Sequence, residues 1–385
     1  MTTPSIQNVV VSTIWTQVLP SLFERDGAQG TLTVLAARAR YERLLNSPRG
    51  RPDGLERGLE FPWVHPVGQH FWMHYLERQT MAGLPGRVAW SALVPLRERL
   101  VTTKSPTGAI LIPEAFHYPF GLGLVFTFRL RDSVRLDDAV GKLYELTHSA
   151  FYEIQIDGVS VRGRVIELAA KVLGELARNR TKHPGNVAQP LVDPFSVCTI
   201  VQSDSGSAAR APLDPAGRTR KALHGLASWR PTWRTDRLGD LEDCILRGTS
   251  MPENSLTYLA KRGRVVWFPE LFAPKETDVE PRHSLSCYHR NLTFASLTVD
   301  ALSSLVLDAD DRLGAGGSLF SLPQDHRECV QNAAARLSEL YEGNVSTYRS
   351  MSARSQLTDS GGRAAYNRLV DRLPDYLQLK ALPEA

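Results

Sequence analysis

The chain of 385 residues is 42% hydrophobic and 22% charged, values that exclude a disordered tail and allow more than one domain. A formal net charge of +4 permits an anionic partner without demanding one. Arginine outnumbers lysine more than fourfold, the bias expected of a GC-rich bacterial genome.

The N-terminal residues Met1 to Ile6 show no basic stretch followed by an apolar one, so no secretory leader is expected. No apolar run approaches the roughly 18 residues of a membrane span, and membrane is not among the expected partners. The four cysteines Cys198, Cys244, Cys287 and Cys329 are widely spaced and form no CxxC pair, which fits a reducing compartment. A soluble cytoplasmic protein is therefore expected.

Residues 1–105 read as a mostly helical region. Val9 to Leu19 is apolar and stops at Pro20, and Leu32 to Leu45 carries apolar residues at helical spacing. A second helix is expected over Gln69 to Gln79, with Phe71, Trp72 and Tyr75 on it.

Residues 106–202 read as a layered α/β unit, doubly wound or ferredoxin-like. Ala109 to Ile112 and Leu122 to Leu130 have strand composition. Asp137 or Asp138 is a candidate cap for a helix reaching Phe151. Glu153 to Val161 alternates as one strand, Arg164 to Arg178 is amphipathic, and Phe195 to Val201 is a buried-strand run. Residues 203–222 form a linker whose small, polar stretch Ser203 to Gly217 predicts an exposed loop.

Residues 223–385 read as an α+β region ending in long helices. A helix is expected near Leu238 to Leu246, then a hairpin of Leu256 to Leu259 with Arg264 to Phe268. Leu285 to His289 reads as a strand, with Asn291 capping a helix to Leu307. From Gln324 to Leu357, Val330, Ala334, Leu337, Tyr341, Val345 and Tyr348 make a heptad-like seam suited to a partner helix. A terminal helix is expected over Ala364 to Leu373. The whole is a mixed α/β chain: helical at the N-terminus, layered in the centre, and closing with a hairpin and long helices.

Three clusters carry chemistry. Arg210 to Arg237 is the most basic stretch, with Arg218, Arg220, Lys221, Arg230, Arg234 and Arg237 around Trp229 and Trp233. Cations neutralise phosphates and indole faces stack on bases, so this is the candidate nucleic-acid contact. A buried tryptophan pair covered by arginines is the competing expectation.

His65, His70 and His74 form the second cluster. His70 and His74 share a helical face, yet Phe71 stands where HExxH needs its glutamate. The third is His283, Cys287 and His289, two of which would share one face of a strand. Both histidine groups are candidate metal ligands, and an aromatic packing role for His70 and His74 is the stronger expectation. Asp308, Asp310 and Asp311 precede a glycine-rich run that lacks the EF-hand and P-loop patterns.

No GxSxG elbow, no GxGxxG after a strand, no Walker A sequence and no kinase signature occurs. No cofactor is expected. The reading that follows is a non-enzymatic, protein-interaction subunit of a bacterial cytoplasmic assembly, with other protein subunits as partners. A nucleic-acid-binding or nucleic-acid-acting protein and a metal-dependent hydrolase are the alternatives.

Overall fold

The computed structural model describes residues 4–19, 59–60, 96–106, 110–118, 120–130, 133–180, 194–202, 217–228, 243–247, 255–260, 263–268, 285–314 and 318–334 apart from 325, 328 and 332. The strands are β1 (Ser5–Val18), β2 (Leu59–Glu60), β3 (Leu96–Arg99), β4 (Val101–Lys104), β5 (Ile110–Tyr118), β6 (Gly121–Leu130), β7 (Val134–Arg135), β8 (Tyr152–Ile156), β9 (Val159–Gly163), β10 (Phe195–Gln202), β11 (Asp243–Arg247), β12 (Leu256–Ala260) and β13 (Gly263–Phe268). The helices are α1 (Leu136–Tyr144), α2 (Val165–Arg180), α3 (Gly217–Ser228) and α4 (Leu285–Leu313). A π-helical turn, Glu145–Ser149, extends α1, and a 3-10 turn spans Leu319–Ser321.

The expected α/β class holds. A large sheet runs in the order β11-β12-β13-β10-β1-β6-β5-β3-β2, with β7 also paired to β1, and β4-β8-β9 form a second, three-stranded sheet. The large sheet draws strands from the N-terminal, central and C-terminal thirds of the chain.

A doubly wound arrangement, one of the two expected, is overturned. Among the described pairs only β10 and β13 run parallel, and the rest are antiparallel. Instead β6 and β10 flank β1, each antiparallel to it. The connection from β6 to β10 carries α1 and α2, so the centre is a split βαβ arrangement with β1 in the gap.

Among the described residues of 1–105 the helical expectation is not met, and the apolar run Val9 to Leu19 falls almost wholly in a strand: Ser5–Val18 is β1, 14 residues long, and β2, β3 and β4 are strands too. The expected helices Leu32 to Leu45, Gln69 to Gln79 and Ala364 to Leu373 lie outside the described residues. A β-bulge between Gln7 and Val10 holds Asn8 at φ 52°. The extra residue changes the alternation. Ile6 before it and Val9 and Val11 after it all join one core cluster, on the face opposite α4.

Other elements depart from expectation for local reasons. Glu153 to Val161 is two strands, because Asp157 and Gly158 (φ 47° and 83°) turn the chain between β8 and β9. Residues 243–247 form strand β11 rather than a helix, paired along β12. α4 begins at Leu285, so the expected strand Leu285 to His289 is its first turns and Asn291 is interior rather than a cap. Arg135 holds the N-cap position of α1 without a side-chain bond, and Asp137 and Asp138 sit in the first turn instead.

The large sheet is covered on both faces. α4 packs on one, where Ile14, Val125, Val197, Val266 and Phe268 meet Leu297, Leu302, Leu305 and Val306. The segment 318–334 adds Leu322, Val330, Ala333 and Ala334 to that cluster, so α4 is buried on more than its sheet side. On the opposite face, the small sheet and α2 cover Trp15, Leu122, Leu124, Phe126 and Phe128. α1 and α3 cover Val9, Val11, Cys198, Ile200, Val265 and Trp267.

Within α4, Leu292–Leu313 is long and apolar enough to cross a membrane, and most of it is buried inside the protein. That is the composition of a core helix.

Candidate functional site

Two places gather side chains with chemical potential. One is sealed beneath α4 and the other is the outer face of the three-stranded sheet.

The sealed cluster joins β1, β6, β10 and α4. Ser12 and Thr127 face one another across β1 and β6, their hydroxyl oxygens 2.7 Å apart. The first turns of α4 bring His289 down onto them. Its Nε2 lies 2.8 Å from Ser12 Oγ and its Nδ1 lies 3.0 Å from Thr199 Oγ1 on β10. Serine beside imidazole is the pair that nucleophilic catalysis uses, but a hydroxyl stands where the orienting carboxylate belongs.

Burial, helped by the nearby Arg129 charge, holds the His289 pKa down at about 3, so the ring is neutral at physiological pH. A neutral imidazole has one donor and one acceptor nitrogen, and here both meet hydroxyls. Ser12 and Thr199 are fully buried, so the hydroxyls face protein on every side. The arrangement fastens α4 to the centre of the sheet.

Two further networks act along the same helix. Thr16 on β1 donates to Asp300 Oδ2 at 2.8 Å and lies 2.8 Å from Ser304 Oγ. At the far end, Arg312 Nε donates to Asp308 at 2.8 Å, while His326 Nε2 stands 3.7 Å from the same carboxylate. Burial raises the Asp308 pKa and, with Arg312, lowers that of His326 to about 4. Gly314 at φ 57° then ends the helix in the left-handed conformation that glycine adopts readily. The expected acidic knot is thus built into the helix end, with Asp310 buried and Asp311 exposed.

The outer face of β4-β8-β9 is open. Its inner face supplies Tyr152, Ile154, Ile156 and Val161 to the core with α2. By strand alternation, Val101, Lys104, Glu153, Gln155, Ser160 and Arg162 point outward. Phe151, one residue before β8, is 47% exposed. The guanidinium carbons of Arg162 and Arg164 lie 5.5 Å and 5.4 Å from its ring centroid. Lys104 Nζ pairs with Glu153 at 3.3 Å, and Lys171 Nζ of α2 donates to the Arg162 carbonyl at 2.6 Å.

Of the candidate nucleic-acid residues, Arg218, Arg220 and Lys221 lie on α3. Arg218 donates to the buried Asp137 carboxylate at 2.6 Å, tying α3 to α1, and Arg135 adds a contact at 3.5 Å. Trp229, Arg230, Trp233, Arg234 and Arg237 lie outside the described residues, as do Arg210 and the loop 203–216. So do His65, His70, His74 and His283.

Cys287 and His289 fall within α4 rather than on the expected strand, and the His289 ring nitrogens meet Ser12 and Thr199. His289 therefore belongs to the hydroxyl cluster. Among the described residues no group of three or more His, Cys, Asp or Glu side chains is placed to hold a metal.

Neither place is marked in the sequence. Ser12, Thr127 and Thr199 are ordinary strand residues, and His289 lies 277 positions from Ser12. Phe151 ends an expected helix but in the structure precedes β8; the Asp157-Gly158 dipeptide is the local signal of a hairpin with Phe151 at its mouth. No family model, curated protein or solved structure matches the chain.

Proposed function

We propose that the chain is a non-enzymatic, protein-interaction subunit of a bacterial cytoplasmic assembly. The observation that carries this reading is how the described residues divide between buried polar groups and exposed apolar ones. Ser12 and His289, the pair best suited to chemistry, close on each other and on Thr199 in the core. Ile110 and Ile112 are exposed on β5, on the same face as Glu114, which Arg290 of α4 contacts at 3.3 Å. Adjacent exposed isoleucines on a sheet face favour a protein partner over solvent.

Isolation of the chain from its host at native expression level, followed by native mass spectrometry, tests the reading. A complex of fixed stoichiometry is expected, weakened in an Ile110→Asp, Ile112→Asp double variant that keeps its melting temperature. A chain that runs as a bare monomer in both forms overturns it.

A further inference from the structure

We propose that the outer face of the β4-β8-β9 sheet binds single-stranded nucleic acid, with Phe151 as a stacking platform and Arg162, Arg164 and Lys104 as phosphate contacts. This surface is separate from Ile110 and Ile112 and does not depend on the protein partner.

The placement follows from strand register. β8 and β9 pair Tyr152 with Gly163 and Glu153 with Arg162, so Phe151 comes opposite Arg164. Arg162 lies in β9 and Arg164 in the bend between β9 and α2, and both side chains come to the Phe151 ring. Arg162 is diagonal to Phe151, within reach of an aromatic ring. Both guanidinium groups therefore lie over the phenyl ring, 5.5 Å and 5.4 Å from its centroid, and Phe151 stays 47% exposed. The inner neighbours Tyr152 and Ile154 are fully buried, which fixes the strand that carries the ring.

Charge complementarity selects the occupant. Around the face Lys104, Arg162, Arg164 and Lys171 stand against two carboxylates: Glu153, which Lys104 and the Ser160 hydroxyl engage, and Glu167, which accepts from the Arg164 amide. An anionic partner is favoured by that balance. An exposed phenyl ring would gain nothing from a carboxylate side chain, whereas every base has a face that can stack on it. Duplex grooves would hide those faces, so the partner is single-stranded. Phosphates would then meet the arginines, which bind them in a fork.

The full-length chain can be titrated against fluorescein-labelled dT20 and rU20 by fluorescence anisotropy at several KCl concentrations. Saturable binding is expected. Phe151→Ala should weaken it about 5- to 150-fold, the range for loss of one stacked base, while Phe151→Trp retains it. Arg162→Ala with Arg164→Ala should reduce the steepness of log K against log salt by about 1.4, the value for two lost single-strand phosphate contacts. Circular dichroism melting of each variant separates loss of binding from loss of fold, and Arg178→Ala, on exposed α2 surface, serves as the control. No binding by the native chain at 50 mM KCl (roughly the lower end of the usual range) overturns the proposal. So does unchanged binding in folded Phe151→Ala, or equal affinity for polyglutamate that is indifferent to Phe151.

Discussion

His289 shows how a chemically suggestive residue becomes a structural one. Ser12 and Thr199 each place a hydroxyl on a ring nitrogen, and the surrounding core holds the imidazole neutral to about pH 3. The unfolded chain would take up that proton near pH 6.5, so the folded state is penalised as pH falls. The stability that the neutral ring supports is complete above about pH 6.5 and declines toward the folded pKa. His326, lowered to about 4, and His148, also lowered by burial, act in the same direction. Urea unfolding from pH 7.5 to 4.5 should therefore show falling stability. His289→Asn should remove up to about 1.4 kcal/mol per pH unit of that slope below pH 6.5. The variant should also start lower at pH 7, by about 1–3 kcal/mol, because its hydroxyl partners lose a ring nitrogen. A variant with the native pH slope would show that His289 is not held neutral.

At the scale of elements, α4 owes its seat to a missing side chain. Gly123 on β6 lies beneath it, and a methyl group there would stand 2.8 Å from Leu297 Cδ1 and 3.3 Å from Tyr118 Cε2. The neighbouring Thr16 on β1 pairs with Gly123 in register and bonds Asp300, so packing and hydrogen bonding fix the same turn of the helix. Gly123→Ala should cost about 1–3 kcal/mol by overpacking. Leu297→Ala should cost about 2–5 kcal/mol by opening a cavity. The double variant should cost less than the sum, because the added methyl enters space that Leu297 vacates. Chemical denaturation of the four proteins measures the coupling, and additivity within about 0.5 kcal/mol would deny the close approach.

The same helix shows what the sequence hides. Its first turns, with cysteine, tyrosine, histidine, arginine and asparagine in succession, lack an apolar period and read as something other than helix. Downstream, Ser296 and Thr298 return their hydroxyls to the carbonyls of Leu292 and Phe294, which lets polar residues sit inside an apolar helix. By contrast β6, β10 and the β12–β13 pair were legible, since each is a short apolar run bounded by turn residues. β1 was not, because it is buried on both faces and its bulge at Asn8 breaks the alternation. The hydroxyl cluster depends on partners brought together from four distant elements, and local pattern carries no trace of such a meeting.

In the whole molecule, β1 is the strand on which the rest depends. It pairs with β10 from Ile6 to Ile14 and with β6 from Val9 to Val18, and α4 lies along it. Its partners come from later parts of the chain, so the centre of the sheet closes only after long-range pairing. Such a strand cannot open without separating β6 from β10. Its amides should therefore exchange only through global unfolding, whereas edge pairings should open locally. Hydrogen–deuterium exchange of the intact chain would resolve this peptide by peptide. Amides within Val9 to Ile14 and the matching stretches of β6 and β10 are expected among the slowest, at one common free energy equal to that of global unfolding. The β2–β3 edge and the β8–β9 turn at Asp157 and Gly158 should exchange much faster. Fast exchange in Val9 to Ile14 while β12 and β13 stay protected would mean that the two halves of the sheet are stable apart, and that β1 joins them late.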